Sequence, residues 1–118
     1  MLSNRSLNTP ISFNHFLEVE LRVGTIIDVK PFDEARKPAY KLWVDFGSFG
    51  IKKSSAQITV NYTLDELIGK QIIGVINFEP KQIAGFISEF LVTGFEDTRG
   101  NIVLAQPQCK VPDGGKLL

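Results

Sequence analysis

Tyr40-Lys41-Leu42-Trp43-Val44-Asp45-Phe46, then Gly47-Ser48-Phe49-Gly50, then Ile51-Lys52-Lys53-Ser54-Ser55-Ala56-Gln57-Ile58 is the most sharply patterned stretch of the chain. Side chains of a β-strand alternate between its two faces. Tyr40, Leu42, Val44 and Phe46 therefore share an apolar face, and Lys41, Trp43 and Asp45 share a polar one. The Gly-Ser-Phe-Gly turn folds this strand back into a second one, giving a hairpin over residues 40–58.

Upstream, Leu21 to Lys30 is rich in β-branched residues and reads as a strand closed by Pro31. Strict alternation puts Leu21, Val23, Thr25, Ile27 and Val29 on one face and Arg22, Gly24, Ile26 and Asp28 on the other. Gly24 inside the run suggests a bulge or tight bend, as at a barrel corner. Phe32 to Pro38 is then a loop. Further upstream, Ser12 reads as the N-cap of a short helix, Phe13 to Val19, with Phe13, Phe16 and Leu17 at helical spacing. Such a helix is too short to stand alone. Residues 1–11 read as a flexible polar arm.

Downstream, Thr63-Leu64-Asp65-Glu66-Leu67 has the form of a capping box, with Thr63 as N-cap, Glu66 three residues later and Gly69 as the stop. Lys70 to Phe78 is a nearly continuous apolar run, as in a strand buried on both faces. Pro80 closes it, and residues 81–88 read as a loop around Gly85. Phe90 to Phe95 and Ile102 to Ala105 supply the last strands, and residues 106–118 form an extended tail. Strands do not alternate with long helices, so a parallel α/β sheet is excluded. Five or six short strands with glycine bends, and one short helix between the third and fourth, predict an all-β, five-stranded OB-fold barrel. A small SH3-like barrel or a sandwich is the alternative. The whole of residues 12–118 reads as one domain.

The chain has 118 residues, with 13 Lys and Arg against 13 Asp and Glu. A length near 100–150 residues is typical of a single domain. Zero net charge excludes a uniformly cationic nucleic-acid coat, but not a local basic face. One cysteine, Cys109, excludes an intrachain disulfide, and one histidine, His15, leaves no zinc ligand set. No nucleophile, base and orienting group can be assembled, so an enzyme is not expected. No cofactor or metal site is expected either. No apolar run approaches the length of about 20 residues needed to span a membrane, and the N-terminus lacks an apolar signal region. A cytoplasmic location is the expectation.

Charge is nevertheless concentrated. Residues 36–53 hold Arg36, Lys37, Lys41, Lys52 and Lys53 against Asp45 alone, a local charge of +4. In an OB barrel the second and third strands and the adjoining loop form the oligonucleotide-binding face. Lysine and arginine suit phosphate, and a flat ring such as Trp43 suits a base. The alternative for Trp43 is packing at a barrel end or against the tail. For the lysines it is a solvated hairpin. Ser54, Ser55 and Gln57 add polar groups beside Lys52 and Lys53. Asn77 and Ser88 lie at the ends of apolar segments, as turn caps or ligand contacts.

Several strings together resemble the tRNA-binding domain family: Leu21-Arg22-Val23-Gly24, Ser54-Ser55-Ala56-Gln57-Ile58, and Asn77-Phe78-Glu79-Pro80-Lys81-Gln82-Ile83-Ala84-Gly85-Phe86-Ile87-Ser88-Glu89. This OB-fold module occurs at the ends of some methionyl-tRNA and phenylalanyl-tRNA synthetase chains and in structure-specific tRNA-binding proteins. Arg36-Lys37-Pro38-Ala39-Tyr40-Lys41-Leu42, Asp45-Phe46-Gly47 and Gly50-Ile51-Lys52 are similar to its free-standing, CsaA-type members. The resemblance implies a homodimer, binding of tRNA, or an export-related chaperone role. It places Asn77, Gly85 and Ser88 near the RNA-binding surface, with Lys52 and Lys53 as basic strand residues. Trp43 departs from the basic or polar residue expected in many relatives.

Two functions follow as expectations. The first is a homodimeric tRNA-binding protein whose basic barrel face uses Arg36, Lys37, Lys41, Trp43, Lys52, Lys53, Ser54, Asn77, Lys81, Gly85 and Ser88. The second is a chaperone that binds unfolded or export-destined polypeptides in an apolar groove. It rests on nine Phe, of which Phe32, Phe49, Phe78, Phe86 and Phe95 fall outside clear strand cores. Phe13, Phe16 and Leu17 of the N-terminal helix, with the tail, are the expected dimer contacts.

Overall fold

The computed structural model describes Leu7 and residues 9–118. The arm expected over residues 1–11 therefore lies mostly outside the described residues. The chain forms α1 (Phe13–Glu18), β1 (Leu21–Pro31), β2 (Tyr40–Asp45), β3 (Ile51–Ala56), α2 (Leu64–Leu67), β4 (Gln71–Val75), β5 (Lys81–Ile83), β6 (Phe86–Ser88), β7 (Leu91–Val92), β8 (Gly94–Glu96) and β9 (Ile102–Leu104). A 3-10 turn, Gly47–Phe49, joins β2 to β3. Five strands form one antiparallel sheet in the order β3-β2-β1-β4-β7. It curls into a nearly closed barrel of the OB type, with α2 between β3 and β4.

Local chemistry explains α2. The Thr63 hydroxyl accepts from the Glu66 backbone N–H, and the Glu66 carboxylate accepts from the Thr63 N–H at 3.0 Å. These bonds satisfy two donors that a helix start leaves unpaired. The helix presents Leu67, fully buried, to the barrel end. Burying such a side chain contributes about 2 kcal/mol. Leu67 joins Ile26, Leu42, Val44, Phe46, Ile58, Ile72, Phe90 and Leu104 in the main core. Gly24 faces this core. A Cβ there would lie 2.5 Å from Val44 Cγ1 and under 3 Å from the Phe46 ring, so only glycine admits those two side chains.

Three expectations are corrected. The irregularity in β1 is not at Gly24 but at Ile27. Ile26 pairs with Val44 and Asp28 with Trp43, so Ile27 is an extra, exposed residue. This bulge reverses the alternation: Ile26 points inward, Asp28 outward, and Val29 packs back against the core. Second, residues 81–88 are not a loop but a two-stranded hairpin, β5–β6, whose turn is Ala84-Gly85. Both turn residues have positive φ, +47° and +80°, the pattern of a type I′ turn. Third, the strand expected over Phe90 to Phe95 is broken at Thr93 into β7 and β8, while β9 lies where Ile102 to Ala105 was expected. β4 pairs with β7, and β9 takes over the same edge at Thr93. The Thr93 N–H donates to Ile73 O, and Thr93 O accepts from the Ala105 N–H.

The tail pairs with the start of β1. Gly114 N–H donates to Val23 O at 2.7 Å, Val23 N–H to Gly115 O at 2.9 Å and Leu117 N–H to Leu21 O at 2.9 Å. Among the described residues, no helix is long and apolar enough to cross a membrane.

Candidate nucleic-acid interface

Alternation along β2 sends Leu42 and Val44 into the core and Lys41 and Trp43 outward. Register then sets their neighbours. Lys41 lies opposite Lys30 on β1 and Ser55 on β3, and Trp43 lies opposite Asp28 and Lys53. The bulge at Ile27 is what turns Lys30 to this outer face. The β5–β6 hairpin lies across the same face and drives Phe86 onto it. Phe86, Phe32 and Ala39 form a second, small buried cluster, flanked by Ala35, Trp43 and Ile83.

Three lysines surround these rings. Lys41 Nζ lies 4.8 Å from the Phe32 ring centroid and 5.1 Å from that of Phe86. Lys53 Nζ lies 5.2 Å from the Phe86 centroid, and Lys30 Nζ 5.3 Å from that of Trp43. An ammonium within about 6 Å of a ring centroid is attracted to the ring face. Phe86 meets Phe32 and Trp43 edge-on, at 5.4 and 6.0 Å. Among the described residues, Glu34 is the one carboxylate in ion-pair contact with these lysines, 3.8 Å from Lys41. The result is a cationic surface laid over buried rings, with the half-buried Trp43 beside them, exposed Lys81 at the hairpin's first strand and exposed Gly85 at its tip.

Other expected site residues lie elsewhere. Lys52 pairs with Val44 and so points to the opposite face of β3 from Lys53. Ser54 is buried at 1% exposure. Its hydroxyl donates to Phe90 O at 2.7 Å and lies 2.8 Å from the Ser88 hydroxyl. Ser54 and Ser88 thus clasp β3 to the Phe90 backbone, and buried Ser54 has no surface to offer RNA. Asn77 is also engaged: its Oδ1 accepts from Glu20 N–H at 3.0 Å, and its Nδ2 donates to Glu18 O at 2.8 Å. That holds the end of α1 against the end of β4. Phe32 and Phe86 are core residues rather than exposed ones, whereas Phe49, Phe78 and Phe95 are exposed.

Lys30, Phe86 and Glu89 complete the surface but were not expected there. Glu89 binds β3 twice: its Oε1 accepts from Lys53 N–H at 3.0 Å, and its N–H donates to Lys53 O at 2.7 Å. Lys30 falls outside the 36–53 charge segment, and only the bulge brings it in.

Arg36 and Lys37 are exposed in the loop between β1 and β2. They border a groove of about 1090 Å³ that runs between this loop, the end of β3, the hairpin tip and β7–β8. Its lining is mostly apolar, with Ile58, Ile83, Leu91 and Ile102 among the contributors.

Two carboxylates away from this surface are held below the usual carboxylate range. Glu20 accepts from Arg22 Nη2 at 2.6 Å and Nε at 2.9 Å, with Lys116 Nζ at 3.5 Å; the Arg22 hydrogen bonds are the main cause of its shift. Asp97 accepts from Asn61 Nδ2 at 3.1 Å, the main cause of its shift, and from the backbone N–H groups of Asn101 and Arg99.

The family model described as "Putative tRNA binding domain" matches residues 21–116. The chain is 36% identical over 97 residues to a methionine–tRNA ligase of Chlorobium chlorochromatii, covering 82% of this chain but 14% of that protein. A second such ligase, of Chlorobium phaeobacteroides, is 36% identical over 107 residues, 15% of its length. The chain thus spans about a seventh of these curated relatives. Two solved structures match over their full length. Chaperone CsaA of Bacillus anthracis is 47% identical with a TM-score of 0.87, covering 93% of this chain, and CsaA chaperone protein of Picrophilus torridus is 52% identical with a TM-score of 0.85, covering 92%. With the match spanning β1 through the paired tail, the chain belongs to the tRNA-binding domain family.

Proposed function

We propose that the protein is a homodimeric tRNA-binding module that takes structured RNA on the outer face of β1–β2–β3. The observation that carries this reading is the grouping of Lys30, Lys41 and Lys53 around Trp43 and Phe86, flanked by Lys81, Arg36 and Lys37. The lysines supply phosphate contacts, and the half-buried Trp43 ring offers an edge against which a base or ribose can pack. Recognition is then of RNA shape and backbone, with few base contacts. The test is titration of tRNA at a series of salt concentrations. Each phosphate contact on a duplex contributes about 0.9 to the slope of log K against log salt. A slope of zero overturns the reading. A cytoplasmic site of action follows from the tRNA ligand.

The dimer is proposed from α1. None of its residues is buried, and Phe13 and Ile11 beside it are 68% and 72% exposed. A six-residue helix needs tertiary cover to persist, and the same apolar face of a second copy supplies it. Two basic faces on one particle raise the effective concentration of the second contact.

A second reading is binding of unfolded or export-destined polypeptide. The apolar groove beside Arg36 and Lys37 favours it, as does the likeness to proteins named chaperone CsaA.

A further inference from the structure

We infer that Glu89 is a positioning residue for RNA binding: it sets Lys53, and through Lys53 the contact with phosphate; this rests on the tRNA-binding reading above. Glu89 lies between β6 and β7, where the chain leaves the outer face and re-enters the barrel. Both of its neighbours are anchored. The Ser88 hydroxyl lies 2.8 Å from that of Ser54. The buried Phe90 ring meets Phe46 edge-on, with centroids 5.0 Å apart. Between these two anchors, half-buried Glu89 reaches β3.

The bonding between Glu89 and Lys53 is half of a strand bridge. In an antiparallel hydrogen-bonded pair, two residues exchange both N–H···O bonds through the main chain. The Glu89 N–H donates to Lys53 O at 2.7 Å, as in such a pair. The return bond differs: the Lys53 N–H donates at 3.0 Å to the side-chain Oε1 of Glu89. The carboxylate thus stands in for a main-chain carbonyl. That substitution lets the chain turn away from β3 after one residue, so that Phe90 enters the core. It also satisfies both main-chain groups of Lys53 on β3, an end strand of the sheet.

Lys53 is therefore fixed from both sides, by Trp43 in register on β2 and by Glu89 at the outer edge. Its ammonium then lies 5.2 Å from the Phe86 ring centroid. Phe86 starts the strand that runs directly into Glu89, so one residue holds both the lysine and the ring beneath it. Binding orders side chains at a cost in entropy, and a lysine already placed loses less. Charge is not the means. Among the described residues, no ion pair involves Glu89. A negative charge beside a phosphate contact opposes binding. The bond to the Lys53 N–H needs only an acceptor oxygen, which an amide also supplies.

The test is titration of tRNA at a series of salt concentrations, on the full chain and its variants Glu89→Ala, Glu89→Gln, Lys53→Gln and the double variant Glu89→Ala, Lys53→Gln. Glu89→Ala is expected to bind about fivefold more weakly. Its salt slope should fall by up to about 1, toward that of Lys53→Gln. Glu89→Gln keeps an acceptor and is expected to bind within about twofold of the parent. In the Lys53→Gln background, Glu89→Ala should cost less than about twofold, because its route to RNA is gone. Parent-like affinity and slope in Glu89→Ala overturn the inference and leave the tRNA-binding reading standing. Tighter binding by both Glu89 variants also overturns it, in favour of simple charge repulsion. So does an undiminished loss in the Lys53→Gln background. A slope of zero in the parent overturns the tRNA-binding reading and the inference with it. If Glu89→Ala does not fold, Glu89→Met, which keeps the unbranched stem without the acceptor, takes its place under the same outcomes.

Discussion

The side-chain oxygens of Ser54 and Ser88 lie 2.8 Å apart, and both reach the carbonyl oxygen of Phe90, at 2.7 and 3.2 Å. The barrel is closed here by hydroxyls rather than by a backbone ladder. Replacing Ser54 removes a buried hydrogen bond and weakens the clasp between β3 and Phe90. Ser54→Ala is expected to destabilise the fold by about 1–2 kcal/mol, measured as a lower urea midpoint at unchanged slope. The folded variant should bind tRNA as the parent does. A large loss of RNA affinity without loss of stability would return Ser54 to the RNA surface.

Lys53 is the lysine best placed to report on RNA contact. Its backbone is fixed to Glu89, and its ammonium rests 5.2 Å from the Phe86 ring centre. Lys52, one residue away, points to the other face. Lys53→Gln is therefore expected to weaken tRNA binding and to reduce the salt slope by about 1. Lys52→Gln should leave the slope unchanged. Equal slopes for the two variants would mean that RNA does not lie on this face.

Ala84 sits in the hairpin turn with φ of +47°, a region that non-glycine residues other than Asn and Asp rarely visit. Asn suits that position in a type I′ turn. Ala84→Asn is expected to stabilise the protein by about 0.5–1 kcal/mol, read as a raised urea midpoint. A fall in stability would show that the turn has another form. The turn is exposed, so no core packing confuses the result.

How far the fold is legible from residues depends on the range of the forces involved. The α2 capping box is local chemistry, written in Thr63 and Glu66, and it could be read directly. The β2–β3 hairpin is likewise carried by period-two alternation and its turn. The β5–β6 hairpin could not be read that way, because Ala84 stands where Asn or Gly would announce the turn. Nor could the bulge at Ile27, which is set by the register of β1 against β2. Lys30 was missed because it lies outside the 36–53 charge segment and joins Lys41 only through the β1–β2 register. Ser54 was misread because its partners, Ser88 and Phe90, are more than 30 residues away. The separation of Lys52 from Lys53 was written in the alternation, but a charge count along the chain does not register direction.

The helix α1 offers a test of assembly. Its apolar residues Phe13 and Leu17 are 68% and 42% exposed in the single chain, and Phe16 is half-buried. Phe13→Ser with Leu17→Ser is expected to shift a dimer to monomer in light scattering. The barrel should keep its urea midpoint once protein concentration is matched below the dissociation range, because no core residue is touched. If the double variant remains a dimer, the copies meet elsewhere.

Asp97 makes the fold acid-sensitive in a direction that can be worked out. Asn61 and two backbone N–H groups stabilise its carboxylate, so its folded pKa lies below the ordinary value of 3.8. Between the folded and unfolded values, the unfolded chain binds more protons than the folded one. Stability therefore rises with pH across that window and is fully present above 3.8. It is lost as pH falls through the folded value. Asp97→Asn keeps the side-chain shape but cannot take up or release this proton. Its urea midpoint should depend less steeply on pH below the ordinary aspartate range than that of the parent. The variant should also start from a lower midpoint at neutral pH, because an amide accepts more weakly from Asn61, Arg99 and Asn101 than a carboxylate does. Parallel pH profiles for parent and variant would remove Asp97 from the acid response and leave Glu20, bound by Arg22 and Lys116, as the group to test next.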